Sequence, residues 1–137
     1  MKKTSVEFLL ENQSHQPVVS LTPEDGVIQA AKTLKQHGIG LLLVISKGDM
    51  VGVLSERDIV QRWVGGPKFP QDIPISEIMT RNVEYVTAFD TVIDCYLRFV
   101  ARGCRHLPVL DPMGNPIGVL SLRNVFDYVI SENPPAV

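Results

Sequence analysis

The chain repeats itself, and among its 137 residues no other feature constrains the fold as much. Thr22-Pro23-Glu24-Asp25-Gly26-Val27-Ile28 lines up with Thr87-Ala88-Phe89-Asp90-Thr91-Val92-Ile93 at an offset of 65. The same offset pairs Gly38 with Gly103, Leu42 with Leu107 and Val44 with Val109. One extra residue then enters Asp111-Pro112-Met113-Gly114-Asn115, compared with Ser46-Lys47-Gly48-Asp49. At an offset of 66, Gly52-Val53-Leu54-Ser55 matches Gly118-Val119-Leu120-Ser121, and Arg57 matches Arg123. An ordered series with a single slip in a turn is duplication, not chance.

Periodicity assigns an element to each block. The β-branched runs 18–21 and 83–86 read as short strands. Asp25 and Asp90 are expected to cap the helices that follow. Val27, Ile28, Ala31 and Leu34 make an apolar stripe at helical spacing, as do Val92, Ile93, Tyr96 and Phe99. Gly38 and Gly103 are placed to end these helices in the left-handed conformation. Residues 41–45 and 107–110 read as buried strands, each running through a polar turn into a second strand, 51–54 or 117–120. A second helix follows near 56–64 and 122–131. The expected fold is therefore α/β, two strand-helix-strand-strand-helix repeats packed as one module. Its parts are an N-terminal segment (1–16), repeat 1 (17–64), a Gly/Pro-rich linker (65–80), repeat 2 (81–131) and a tail (132–137). Val6, Leu9 and Leu10 predict a short apolar helix that docks onto the rest. Ser76 is expected to cap one helical turn over 76–79.

Composition narrows the function. With 45% apolar and 20% charged residues the chain is globular in type. A net charge of -2 argues against a broad basic face for nucleic acid or an anionic membrane. The apolar run 39–45 is far too short to span a bilayer, and the first residues are not a secretory signal. Two cysteines, Cys95 and Cys104, make no disulfide framework and fit a cytoplasmic protein.

Three places could carry chemistry. Ser55-Glu56-Arg57-Asp58 sits where a strand meets a helix. The spacing is a capping box. The same geometry offers backbone N–H groups and Arg57 to a phosphate, and two carboxylate oxygens to the cis-diol of a ribose. Cys104-Arg105-His106-Leu107-Pro108 places Arg and His at the start of an otherwise apolar strand, and Pro108 suits a strand edge facing a groove. Thr22 and Thr87 each end a first strand, where a hydroxyl also serves as a plain turn-former. No P-loop or dinucleotide fingerprint occurs. His15, His37 and His106 are scattered, with no zinc spacing, and no acid-base set converges as a catalytic centre.

These residues together carry a family resemblance. The doubled repeat, the two Gly-Val-Leu-Ser boxes, GVLSERDIV at 52–60 and GCRHLPVLD at 103–111 resemble a tandem pair of CBS domains, a Bateman module, over about 17–131. The chain is similar to small stand-alone bacterial CBS-pair proteins. The resemblance implies a regulatory or sensor module and no enzyme. It implies clefts between the repeats that bind AMP, ADP, ATP, NAD(H) or S-adenosylmethionine, with no required cofactor, and a homodimer. By the same resemblance, Asp58 holds ribose hydroxyls with Ser55 and Arg57 beside it. Thr87, Arg105, His106 and Pro108 join them, and Cys104 and Leu107 supply backbone or an adenine wall. The reciprocal set, Thr22, Gly40, Leu41, Ser121, Arg123 and Asn124, departs from the pattern. Asn124 replaces the acid, and Gly40 and Leu41 stand where Arg105 and His106 stand in the other half. One competent and one degraded or empty site per chain is the expectation. The alternative is a ligand-free scaffold for dimerisation or a partner protein. A physical hint of self-association is the apolar surplus on the second helices: Ile59, Val60, Trp63 and Val64, and Val125, Phe126, Val129 and Ile130.

Overall fold

The computed structural model of the chain describes residues 4–64 and 73–134. Gly65, Gly66, Pro67 and Pro70 of the expected linker, and Pro135 of the expected tail, lie outside the described residues. Two compact units emerge. Residues 18–64 and 73–83 form one, and residues 84–134 with 4–17 form the other.

In the unit of repeat 1, β1 (Ser20–Leu21) runs parallel to β2 (Leu41–Ser46), and β2 pairs antiparallel with β3 (Asp49–Ser55). The hairpin closes on Lys47 and Gly48, both at positive φ (52° and 84°), the mirror-image turn whose twist matches the strands. Helix α2 (Val27–His37) crosses from β1 to β2 and ends at left-handed Gly38. Leu42, Val44 and Leu54 from the sheet meet Val27, Ala30 and Leu34 from α2 in one core.

The unit of repeat 2 follows the same plan. It holds β4 (Val86–Thr87), α4 (Val92–Arg102), β5 (His106–Leu110), β6 (Pro116–Ser121) and α5 (Leu122–Glu132). Even the irregularity is repeated: the hairpin register slips between Val44 and Ile45 in one unit and between Val109 and Leu110 in the other. The extra residue of the second turn is absorbed by Asp111, whose Oδ1 accepts N–H from Met113 (2.9 Å) and Asn115 (2.8 Å).

Each sheet is covered by a strap from elsewhere in the chain. Residues 73–80, with a tight turn at Ile75–Glu77, lie over repeat 1. They bury Ile73, Ile75, Ile78 and Met79 in its core, and Thr80 pairs with Val53 through two backbone bonds (2.9 and 3.0 Å). Repeat 2 is covered by the N-terminal segment, whose helix α1 (Val6–Asn12) buries Val6 and Leu9. The attachments correspond. Ile75 N–H reaches Asp25 O and Val27 N–H reaches Ile73 O (2.8 and 3.0 Å), as Val6 N–H reaches Asp90 O and Val92 N–H reaches Thr4 O (both 2.8 Å). Val6, Leu9 and Leu10 thus stand at an offset of 69 from Ile75, Ile78 and Met79. The strap is a further duplicated element, and the apolar N-terminal helix docks on the second repeat.

Several local expectations are corrected. Asp25 and Asp90 are not the helix caps. Their carboxylates accept the N–H of Thr22 and Thr87 (both 2.8 Å) in turns one residue earlier, leaving Gly26 and Thr91 as caps. Ser76 lies inside its turn, where Pro74 precedes it without a side-chain cap. The expected stripes on α2 and α4 are rotated. Ala30 and Cys95 face the core, while Ile28, Ile93 and Tyr96 are exposed. Repeat 1's second helix is regular only over α3 (Glu56–Asp58) and widens into a π-turn, Ile59–Val64, in which Trp63 packs on the core. Pro108 is not on a sheet edge, because β5 is the central strand. Its missing donor falls on the β4 side, where the matched Leu43 N–H bonds Val19 O (3.0 Å) and where β4 begins only at Val86.

Candidate functional site

The Ser-x-x-acid segment of repeat 1 folds as a reciprocal capping box because β3 ends where a helix must begin. Ser55 Oγ accepts the N–H of Asp58 (3.1 Å), and Asp58 Oδ2 accepts the N–H and Oγ–H of Ser55 (3.0 and 3.1 Å). The other carboxylate oxygen is loosely held. Thr80 Oγ1 donates to Oδ1 at 3.4 Å and Arg62 Nε lies 3.7 Å away. Arg62 is fixed by the strap, donating to the carbonyls of Ile78 (3.1 Å) and Met79 (3.2 Å). The Asp58 side chain is 14% exposed. Arg57 is exposed at the surface beside it.

The start of β2 lies against this box. Leu41 pairs with Ser55, and Gly40 O accepts the N–H of Glu56 (3.3 Å). Leu41 is buried. Thr22 lies at the other end of the sheet, just past Leu21, which pairs with Val44.

Repeat 2 repeats this geometry with different chemistry. His106 pairs with Ser121, and Arg105 O accepts the N–H of Leu122 (2.8 Å). Arg105 is exposed, His106 and Cys104 are half-buried, and Leu107 and Pro108 are buried. Within this unit Thr87, level with Leu110, is therefore about 13 Å along the sheet from the His106 end. Its N–H and hydroxyl both turn to Asp90 Oδ2 (2.8 and 3.4 Å). The second box closes likewise: Ser121 Oγ accepts Asn124 N–H at 3.2 Å, and Asn124 Oδ1 accepts Ser121 N–H at 2.8 Å. Arg123 is exposed and pairs with Asp127 one turn on (3.7 Å).

Sequence reasoning placed the boxes and strand starts but missed Arg62 and Tyr128 on the second helices and, on the straps that face the boxes, Thr80 in repeat 1 and Gln13 and Ser14 in repeat 2. The signal that finds them is the third register, Val6-Leu9-Leu10 against Ile75-Ile78-Met79. Among the described residues no group of three or more His, Cys, Asp or Glu could hold a metal ion.

A pair of half-size α/β units, each carrying a capped Ser-x-x-acid or Ser-x-x-amide box, is the class of protein these features define. The family model for the CBS domain matches twice, at residues 14–65 and 75–131. The chain belongs to the CBS-domain family. The CBS domain-containing protein YhcV of Bacillus subtilis is 28% identical over 108 residues, covering 79% of this chain and 76% of that protein. A 17.7 kDa protein of Acidianus ambivalens is 34% identical over 109 residues. The chain spans 65% of that relative and 56% of one from Methanopyrus kandleri. The crystal structure of the CBS domain NE2398 superposes with a TM-score of 0.86 at 36% identity, covering 94% of this chain and 99% of that one. The CBS-domain pair of protein MJ0100, solved in complex with 5'-methylthioadenosine and S-adenosyl-L-methionine, shares the fold at TM-score 0.81 and 21% identity, covering 96% of this chain and 100% of that one.

Proposed function

We propose that the chain is a regulatory, non-catalytic module that binds an adenosine-containing ligand, AMP, ADP, ATP or NAD(H), through the box of repeat 1. The observation that carries this is the state of Asp58. One oxygen is committed to the cap, and the other has, among the described residues, contacts of 3.4 and 3.7 Å. Such an oxygen can exchange a long contact for a ribose hydroxyl at ordinary hydrogen-bond distance. Arg57 supplies charge for phosphate. Thr87, Cys104, Arg105, His106, Leu107 and Pro108 are proposed as the remaining contacts on the family resemblance. The ligand class is that of the MJ0100 complex. The module is proposed to be a cytoplasmic homodimer that needs no cofactor. Among the described residues no helix is long and apolar enough to cross a membrane.

Calorimetry and thermal shift with AMP, ADP, ATP and NADH test the reading. At 100 times its dissociation constant a ligand adds about 2.7 kcal/mol to stability. Asp58→Asn keeps the cap acceptor and removes the carboxylate, so it is expected to weaken binding by roughly tenfold or more with little change in the unliganded melting temperature. Arg57→Ala and Arg105→Ala are expected to weaken phosphate-bearing ligands more than adenosine itself.

A specific observation supports a second reading, a ligand-free scaffold: both boxes already satisfy their own hydrogen bonds as caps. No stabilisation by any of the four ligands selects the scaffold.

A further inference from the structure

Asn124 is the polar residue found buried among the described residues, with 5% of its surface exposed. A side-chain amide has an acceptor oxygen with two lone pairs and two N–H donors, and burial requires each to be used. Oδ1 takes the N–H (2.8 Å) and Oγ–H (3.0 Å) of Ser121. Nδ2 donates to Gln13 Oε1 (2.9 Å) and to the Ser14 carbonyl (3.0 Å). The cap alone does not require an amide, since Asp58 performs it with a carboxylate in repeat 1. Facing Ser14, however, a carboxylate would set an oxygen against a carbonyl oxygen, with no proton between them. The amide is explained by the N-terminal segment. One turn further along α5, Tyr128 holds the start of the same segment: its hydroxyl hydrogen-bonds Thr4 Oγ1, and its ring meets Phe8 edge-on, with centroids 6.3 Å apart.

We propose that the box of repeat 2 is a docking site for the chain's own N-terminal segment, with Asn124 as the clasp, and that the seated segment excludes a diol ligand from it. The docking stands on the contacts alone. The exclusion rests on the ligand reading above and gives one adenosine ligand per chain. Asn124 is then no worn-out copy of Asp58. It is the residue that assigns its box to a peptide.

Asn124→Asp separates the clasp from the cap, because it keeps the acceptor for Ser121 and removes the donor to Gln13 and Ser14. The readout is amide hydrogen exchange by mass spectrometry on the full chain, with calorimetry on AMP alongside. Exchange in a peptide covering residues 6–14 is expected to accelerate roughly tenfold or more, while peptides from β5 and β6 stay protected. Gln13→Ala, which leaves Asn124 intact, is expected to give a smaller acceleration in the same peptide. It serves if Asn124→Asp fails to fold. With the segment loosened, AMP stoichiometry is expected to rise above the wild-type value of one per chain. Unchanged exchange in 6–14 for both variants overturns the clasp. Wild-type binding of two AMP per chain with 6–14 still protected overturns the exclusion. If wild type binds no AMP, the ligand reading fails and exchange alone decides the docking.

Discussion

Cys95 lies on the buried face of α4 with no exposed surface. Burial pushes its thiol from the ordinary 9.0 up to about 12, with the nearby charge of Asp90 adding to the effect. Burial also raises Cys104, which is only half-buried. The sign follows from linkage. Between pH 9 and 12 the unfolded chain releases a proton from Cys95 that the folded chain keeps, so the thiol's contribution to stability is level below pH 9 and declines through that window. Urea unfolding of wild type is therefore expected to lose midpoint from pH 9 to 11 more steeply than Cys95→Ala. At pH 8 a thiol reagent is expected to label Cys95 only upon unfolding. Prompt labelling of Cys95 in the folded chain would contradict the burial argument.

The strap is where the elements differ most in cost. Glycine is needed at two matched strand positions because the straps pass directly over them. A Cβ on Gly52 would lie 2.8 Å from Met79 Sδ and 2.9 Å from the carbonyl of Thr80, and that backbone is pinned to Val53. A Cβ on Gly118 would meet Leu10 Cδ2 at 2.8 Å, the far end of a side chain that can rotate away. Gly52→Ala is thus expected to cost roughly 1–3 kcal/mol and Gly118→Ala clearly less. Paired denaturation curves check the order, and equal losses would refute it. The glycines themselves were legible as matched residues of the repeat, as were the hairpins, α2, α4 and the left-handed ends at Gly38 and Gly103. What covered them was not. Repeat 1 is closed by residues that precede repeat 2, and repeat 2 by residues that precede repeat 1, so proximity in sequence misassigns both straps. Helix caps were misplaced by one residue because Asp25 and Asp90 satisfy a turn before the helix begins. The boxes were legible in position, but which atoms of Asp58 and Asn124 remained available depended on partners far away in sequence.

For the molecule as a whole, the two repeats differ in what their first helices show to solvent. In α4 and α5, which pack beside each other, Ile93, Tyr96, Leu97, Val100, Phe126, Val129 and Ile130 are all exposed. About half the surface of these seven side chains is on the order of 700 Å², close to the roughly 800 Å² that one partner contributes to a standard interface. The matched outward positions of α2 carry Lys32 and Lys35 in place of Leu97 and Val100. Of the expected surplus on the first repeat's second helix, Val60 is exposed, while Ile59 is core and Trp63 packs on it. A two-fold contact needs one patch that complements itself. The repeat 2 face meets this with an apolar stripe rimmed on α5 by Arg123 and Asp127, whose opposite charges can pair across the axis. The proposed homodimer is therefore expected to join repeat 2 to repeat 2. Leu97→Lys with Val100→Lys makes α4 resemble α2 at exposed sites, so folding is spared while burial against a second copy becomes unfavourable. Sedimentation velocity at micromolar concentration is expected to show a dimer for wild type and a monomer for this double variant. Lys35→Glu is expected to leave the dimer intact. A wild-type monomer, or a dimer lost through Lys35 instead, would remove repeat 2 as the interface.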